Sequence, residues 1–191
     1  QAYFICPDGM PFYYASRFFG NRNSERIAGN DAIFDLLKLA ESKKLKVFFY
    51  GSTQEVLDKI GMKISEELPE LQYNSFSPPF KELTSTELEE HIQKINVFES
   101  NLVFVGLGCP KQEKWMNSVK GKVNGLMLGV GGAFLLFAGI DSRAPKLMRT
   151  LALEWLFRLF LEPRRLFKRY LITNTYFCFL VIKELAKKIY K

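Results

Sequence analysis

Two places in this 191-residue chain combine residue types that could do chemistry. The first is Pro7-Asp8-Gly9, which follows the apolar residues 3–6. A short buried strand over those residues would put the Asp8 carboxylate at its carboxyl end, the edge at which open α/β sheets bind ligands. Pro-Asp-Gly is also a strong turn tripeptide, in which Asp8 need only close the turn. The second place is Val103-Phe-Val-Gly-Leu-Gly-Cys-Pro-Lys-Gln-Glu-Lys-Trp115. Leu102 and the three residues after it read as a fully buried strand, Gly106 and Gly108 permit a sharp turn and close approach to a ligand, and Pro110 fits the first position of a helix. Unpaired N–H groups at that helix start, beside Lys111 and Gln112, would hold an anion such as a diphosphate; the alternative is a plain tight turn.

The elements that must position these residues follow from hydrophobic period and punctuation. Strands are predicted near residues 4, 48, 74, 103 and 127 with a helix between each pair, the pattern of βαβ units and a mainly parallel sheet. Pro11 starts a helix that Gly20 stops. Asn30 or Asp31 caps an amphipathic helix bearing Ile33, Phe34, Leu36, Leu37 and Leu39. Ser52-x-x-Glu55 and Thr84-x-x-Glu87 each read as a capping box. His91, flanked by Glu89 and Glu90, reads as an exposed surface residue. The last predicted strand, 125–130, runs into Gly129-Val-Gly-Gly-Ala133. The predicted class is therefore α/β, a Rossmann-like core over 1–142, followed by a helical appendage over 143–191.

Composition agrees with a folded core: 48% of residues are hydrophobic and 25% charged. The net charge of +7 sits in the appendage, where residues 143–191 carry 12 Lys or Arg against 3 Glu, while residues 1–142 carry 15 against 17 acids. Cys6, Cys109 and Cys178 lack metal-ligand spacing and read as reduced thiols of a cytoplasmic protein. No signal peptide opens the sequence, and the apolar run 176–182 is shorter than the roughly 20 residues a bilayer crossing needs. Beyond Glu162-Pro163-Arg164-Arg165, which interrupts an apolar helix, Lys168, Arg169, Lys183, Lys187 and Lys188 are interleaved with aromatic and aliphatic residues. Such a helix lies on an anionic membrane surface. The alternatives are a core helix with a solvated cationic face or an oligomer contact, to which the apolar segment around Trp155 would also lend itself. Nucleic acid is excluded, because cations among aliphatic side chains favour lipid or protein.

Several blocks, in one order, resemble the WecG/TagA/CpsF glycosyltransferases. They are Pro7-Asp-Gly-Met10, Glu25-Arg-Ile-Ala-Gly-Asn-Asp31, Val105 to Trp115, Gly129-Val-Gly-Gly132, Arg143-Ala-Pro145, Leu153-Glu-Trp155 with Arg158, and Glu162-Pro-Arg-Arg165. The resemblance implies a Rossmann-like, inverting, metal-independent enzyme that needs no cofactor. It implies transfer of a sugar such as N-acetylmannosamine from a UDP-sugar to a polyprenyl-diphosphate-linked acceptor, on the inner face of the bacterial cell membrane, in cell-surface polymer synthesis. Asp8 matches the family's general base, Arg26 an arginine near substrate, and Gln112 and Glu113 polar pocket residues. Without a metal, charge on the departing UDP must be met by fixed dipoles and cations. Backbone amides from Gly106 and Gly108 to Lys111, the glycines Gly131 and Gly132, and Arg158, Arg164 and Arg165 match the blocks expected to do this. An arginine-rich block beside a lipophilic one further implies that meeting the membrane completes the active site.

Two departures from the family pattern qualify the resemblance. Members usually carry a further strand and helix before the Asp-Gly block, with pocket Thr and Asn residues, so a fragment or an incomplete site is expected. Members commonly place Asp after Gly-Ala-Phe, where this sequence has Leu135. Both leave room for a non-catalytic relative that binds UDP-sugar and serves as a membrane-docked partner in polymer assembly.

Overall fold

The structure, a computed structural model, describes residues 9–189 except 21, 22, 24, 28, 146, 149, 150 and 152, and leaves out the side chains of Asn30, Arg165, Lys188 and Ile189. The predicted strand at 3–6 and Asp8 lie outside the described residues. The chain divides into two compact units, one built on Ile27–Ser142, the other on parts of Cys6–Arg26 and Arg143–Lys191.

The first unit is an α/β layer structure around β1 (Val47–Gly51), β2 (Tyr73–Phe76), β3 (Leu102–Gly106) and β4 (Leu126–Gly129). Its helices are α2 (Gly29–Ser42), α3 (Gln54–Glu67), α4 (Ser85–Val97), α5 (Lys111–Ser118) and α6 (Ala133–Phe137); α1 (Met10–Phe19) belongs to the second unit. The strands are parallel, in the order β2-β1-β3-β4. Both faces are covered, which is why β1 and the first four residues of β3 are apolar throughout instead of alternating with polar residues. Val47, Phe49, Leu102 and Phe104 pack with α2, α3 and α6; Phe48, Tyr50, Val103 and Val105 pack with α4 and α5. Phe49 anchors the first layer, stacked on Phe104 at 5.6 Å and edge-on to Phe134 at 5.7 Å.

The chain steps from β1 outward to β2, then returns to the other side of β1 for β3. The β1/β3 boundary is thus a topological switch point, and the crevice outside its carboxyl ends is where such sheets receive ligands. Gly51 and Gly106 end the two strands and face each other in register.

Three local expectations change. The Thr84 box forms, with Glu87 and Thr84 bonded reciprocally, but the Ser52 box does not. Ser52 takes a left-handed φ of 64° to leave β1 and gives its N–H to the Gly106 carbonyl at 3.1 Å. The helix therefore starts one residue later, behind Thr53, which makes no side-chain cap bond, and Glu55 pairs with Lys59 instead. Asn30 and Asp31 fall inside the first turn of α2, which begins at Gly29.

His91 is the third correction: it is buried, 5% exposed, not on the surface. Glu89 and Glu90 are exposed, but Leu88, His91, Ile92 and Ile95 form one i, i+3, i+4, i+7 stripe that turns inward. There His91 Nδ1 lies 2.8 Å from the Tyr50 hydroxyl. Burial, then the charge of Lys94, holds its pKa below the ordinary 6.5, against a smaller opposing pull from Glu87 and Glu90.

The unfolded chain thus binds a proton just below pH 6.5 that folded His91 refuses, and stability falls as pH drops into that window. Glu87, held at about 2 by Lys81 and then by Thr84, loses its contribution only below its ordinary 4.5. His91→Gln should flatten the decline of melting temperature between pH 6.5 and about pH 5, and leave the steeper acid limb in place. Parallel curves for the variant and the parent would refute this assignment.

Candidate active site

At the switch point the backbone is shaved to glycine for packing reasons first. A Cβ on Gly51 would stand 2.7 Å from the Gly106 carbonyl carbon, and one on Gly106 would stand 2.5 Å from the Phe134 ring. The sequence reading had Gly106 turn the chain and allow close approach to a ligand; in the structure its missing side chain also makes room for Phe134 of the protein's own core. Gly108 makes the expected sharp turn. Its φ is 77° and nothing lies within 4 Å of a Cβ there, so it makes a left-handed turn open to one side.

Pro110 stands at the cap of α5, one residue before the expected position, and the helix begins at Lys111. The Gln112 amide donates back to the Gly108 carbonyl at 2.9 Å, and the Lys114 amide to Pro110 at 3.2 Å. Lys111 and Glu113 give their amides to no carbonyl among the described residues. With the exposed Lys111 ammonium, they leave the helix start able to take an anion.

Gln112 itself points inward and is 7% exposed. Its carboxamide lies over the glycine block: a Cβ on Gly129 would be 2.9 Å from Nε2, and one on Gly131 would be 3.3 Å from Oε1. Nε2 donates to Glu113 Oε1 at 3.0 Å, whereas Oε1 is buried with no partner among the described residues. One turn later the Trp115 indole N–H makes no well-formed hydrogen bond, but it lies near enough to the Tyr50 hydroxyl to act on it. Buried polar atoms are nearly always satisfied, and one left open costs about 1–3 kcal/mol. The Gln112 acceptor is the buried polar atom beside the α5 start whose hydrogen bond no other described residue supplies.

The first unit therefore brings together Gly106, Gly108, Lys111, Gln112, Glu113 and Gly131, with Gly132 following as the cap of α6. Leu135, in α6, packs half-buried against the first core layer. Arg26, Arg158, Arg164 and Arg165 belong to the second unit. Arg158 and Arg164 are exposed. Arg26, expected near substrate, is half-buried with its guanidinium on the Glu154 carboxylate. Tyr50, Trp115 and His91 were not singled out as site residues; the stripe of α4 was the available signal for His91.

The second unit is of a different kind. Helix Glu154–Leu161 contains no buried residue, and Pro163–Ile189 runs for 27 residues. Phe12 meets Phe177 at 5.6 Å and Trp155 meets Tyr170 at 6.2 Å. Phe160, Phe167, Leu171, Ile172, Tyr176 and Ile182 nevertheless remain more than half exposed. Among the described residues no helix is long and apolar enough to cross a membrane.

Residues 1–190 match the family described as Glycosyl transferase WecG/TagA/CpsF family. The chain is 36% identical over 186 residues to the N-acetylglucosaminyldiphosphoundecaprenol N-acetyl-beta-D-mannosaminyltransferase of Bacillus subtilis (strain 168), covering 97% of this chain and 71% of that protein. It is 31% identical over 167 residues to the protein of the same name from Staphylococcus aureus (strain NCTC 8325 / PS 47), covering 87% of this chain and 64% of that one.

The packing role of Gly106 has a direct check. Gly106→Ala should lower stability by about 1–3 kcal/mol through overpacking against Phe134. Adding Phe134→Leu, which removes the opposing ring edge, should cost less in the Gly106→Ala background than in the parent, as read by chemical denaturation. Additive losses would mean that Gly106 is not shaped by Phe134.

Proposed function

Since the chain belongs to the WecG/TagA/CpsF glycosyltransferase family, we propose that it is an inverting, metal-independent transferase. It moves an N-acetylmannosamine-type sugar from a UDP donor to an undecaprenyl-diphosphate-linked N-acetylglucosamine, on the inner face of the bacterial cell membrane. The observation that carries the reading is the buried Gln112 carboxamide, with its open acceptor, between the α5 start and the glycine block.

In this reading the donor diphosphate meets the Lys111 and Glu113 amides and the Lys111 ammonium, and Gln112 Oε1 accepts an N–H or O–H from the donor. The acceptor hydroxyl oxygen attacks the anomeric carbon as the bond from that carbon to the UDP oxygen breaks, and UDP leaves with the bonding pair. Asp8 takes the hydroxyl proton, a role assigned by its place in the family's Asp-Gly block. Arg158, Arg164 and Arg165 are assigned to the departing diphosphate by their places in the family's blocks, because preorganised charge at the leaving group does most to lower a barrier. Arg26, paired with Glu154, is better suited to holding the Leu-Glu-Trp segment in place than to binding phosphate directly. The division 1–142 and 143–191 then separates the donor-binding core from a membrane-associating appendage.

Leu135 favours a second reading, because it fills core volume where family members commonly carry Asp. A chain that binds UDP-sugar without transferring it would serve as a docked partner in polymer assembly.

UDP release from UDP-N-acetylmannosamine, with a short-chain polyprenyl-diphosphate-linked N-acetylglucosamine as acceptor, separates the two. The transferase reading expects acceptor-dependent release that falls about 10²–10⁴-fold in Asp8→Ala. UDP binding without release in any donor–acceptor pair would leave the second reading.

The appendage carries its own test. Its exposed apolar residues and cations expect binding to vesicles containing an anionic lipid, weakened by salt and by neutral lipid. Leu171→Glu with Tyr176→Glu should abolish co-sedimentation while the melting temperature stays within a few degrees of the parent. Unchanged co-sedimentation would remove the membrane from the proposal.

A further inference from the structure

Helix α5 carries the residues proposed to meet the donor, yet it has eight residues, too few to hold a place by its own hydrogen bonds. Its buried residues are Gln112 and Trp115, one turn apart. Gln112 has no slack on its outer side, since the carboxamide already lies against Gly129 and Gly131. On its inner side the one large anchor is Trp115, which stacks face to face on Tyr50 with ring centroids 4.1 Å apart and planes 18° apart.

Tyr50 is wholly buried at the penultimate position of β1. Phe76 stacks against it at 6.2 Å, and its hydroxyl is tied to His91 Nδ1 at 2.8 Å. The His91 ring is in turn set edge-on to Phe76 at 4.7 Å. The ring beneath Trp115 is thus fixed in depth by β1, in tilt by Phe76 and in rotation by a buried hydrogen bond from α4.

We propose that Tyr50 is a positioning residue for the donor site, setting through Trp115 the depth at which Gln112 presents its carboxamide over the glycine block. This rests on the reading of Gln112 as a UDP-sugar contact.

UDP affinity by calorimetry on the full chain tests it, with melting temperatures recorded alongside. Gln112→Ala tests the underlying reading and should weaken UDP about tenfold. Tyr50→Leu, which removes the stack, should weaken UDP by a similar factor and raise KM for the UDP-sugar more than it lowers kcat. Tyr50→Phe, which keeps the ring and loses the bond to His91, should recover most of that affinity. Ile64→Ala, buried on the opposite face of the sheet, should lower stability comparably and leave UDP affinity unchanged.

The deciding comparison is the double variant: if Tyr50 acts through Gln112, adding Tyr50→Leu to Gln112→Ala weakens UDP no further. Additive losses, or an equal loss of affinity in Ile64→Ala, overturn the positioning role. A Gln112→Ala protein that binds UDP like the parent overturns the reading beneath it, and the proposal with it. Should Tyr50→Leu fail to fold, Tyr50→Phe carries the same test, with an expected loss of about threefold that vanishes in the Gln112→Ala background.

Discussion

The contact between Gly51 and Gly106 is the constraint on which the first unit depends. The two residues end neighbouring strands in register, and either strand could take a side chain there only by pushing the other backbone, or the Phe134 ring, aside. Because they abut, β1 and β3 leave the sheet together, Ser52 can bond to Gly106, and both strands turn into helices at the switch point. The Val130 amide returns to the Val105 carbonyl at 3.0 Å, closing the glycine block over the same edge. A site made of backbone amides and one carboxamide needs this closeness, since amides act only on what they can reach.

The sequence disclosed the layer structure well, because its signals there are local. Apolar runs at 47–50 and 102–105, each ended by a glycine, read as strands buried on both faces, and the Thr84 box is satisfied by residues three apart. What it concealed is non-local. Ser52 and Glu55 have the spacing of a box, but the Ser52 N–H donates to the carbonyl of a residue 54 positions later. His91 sits among glutamates in sequence and among aromatic rings in space, because a helix presents every third or fourth residue to the core. Arg26 and Glu154 are 128 positions apart, so no window of sequence shows that one neutralises the other. Of the candidate site, the glycine turn and Gln112 were legible from a motif, whereas the rings that hold Gln112 in place belong to other elements.

The two units rest on different physics. In the first, Phe48, Phe49, Tyr50, Phe104 and Phe134 are almost entirely removed from water, each contributing about 1.5–3 kcal/mol. In the second, phenylalanines and leucines of similar size stay largely exposed among lysines and arginines. Large exposed apolar areas are rare on monomeric soluble proteins and mark surfaces that meet something else. The charge bias is what supports the proposed membrane contact: a surface both apolar and cationic suits a bilayer with anionic headgroups better than another protein of unremarkable charge.

The handling of charge joins these observations. A diphosphate leaving group brings negative charge that must be met by groups already in place, since reorganising water or side chains during the reaction raises the barrier. Arg26 is poorly placed to serve directly, because binding phosphate would take it from the Glu154 carboxylate and leave that half-buried group without its partner. The exposed Arg158 and Arg164 carry no such obligation to Glu154. Arg26 then does its work as a fixed support, setting Glu154 and the segment that leads to Arg158, just as Tyr50 supports Trp115 and Gln112. In both cases the group proposed to meet substrate lies on a short helix, Lys111–Ser118 or Glu154–Leu161, and on this proposal its placement is borrowed from a partner far away in sequence.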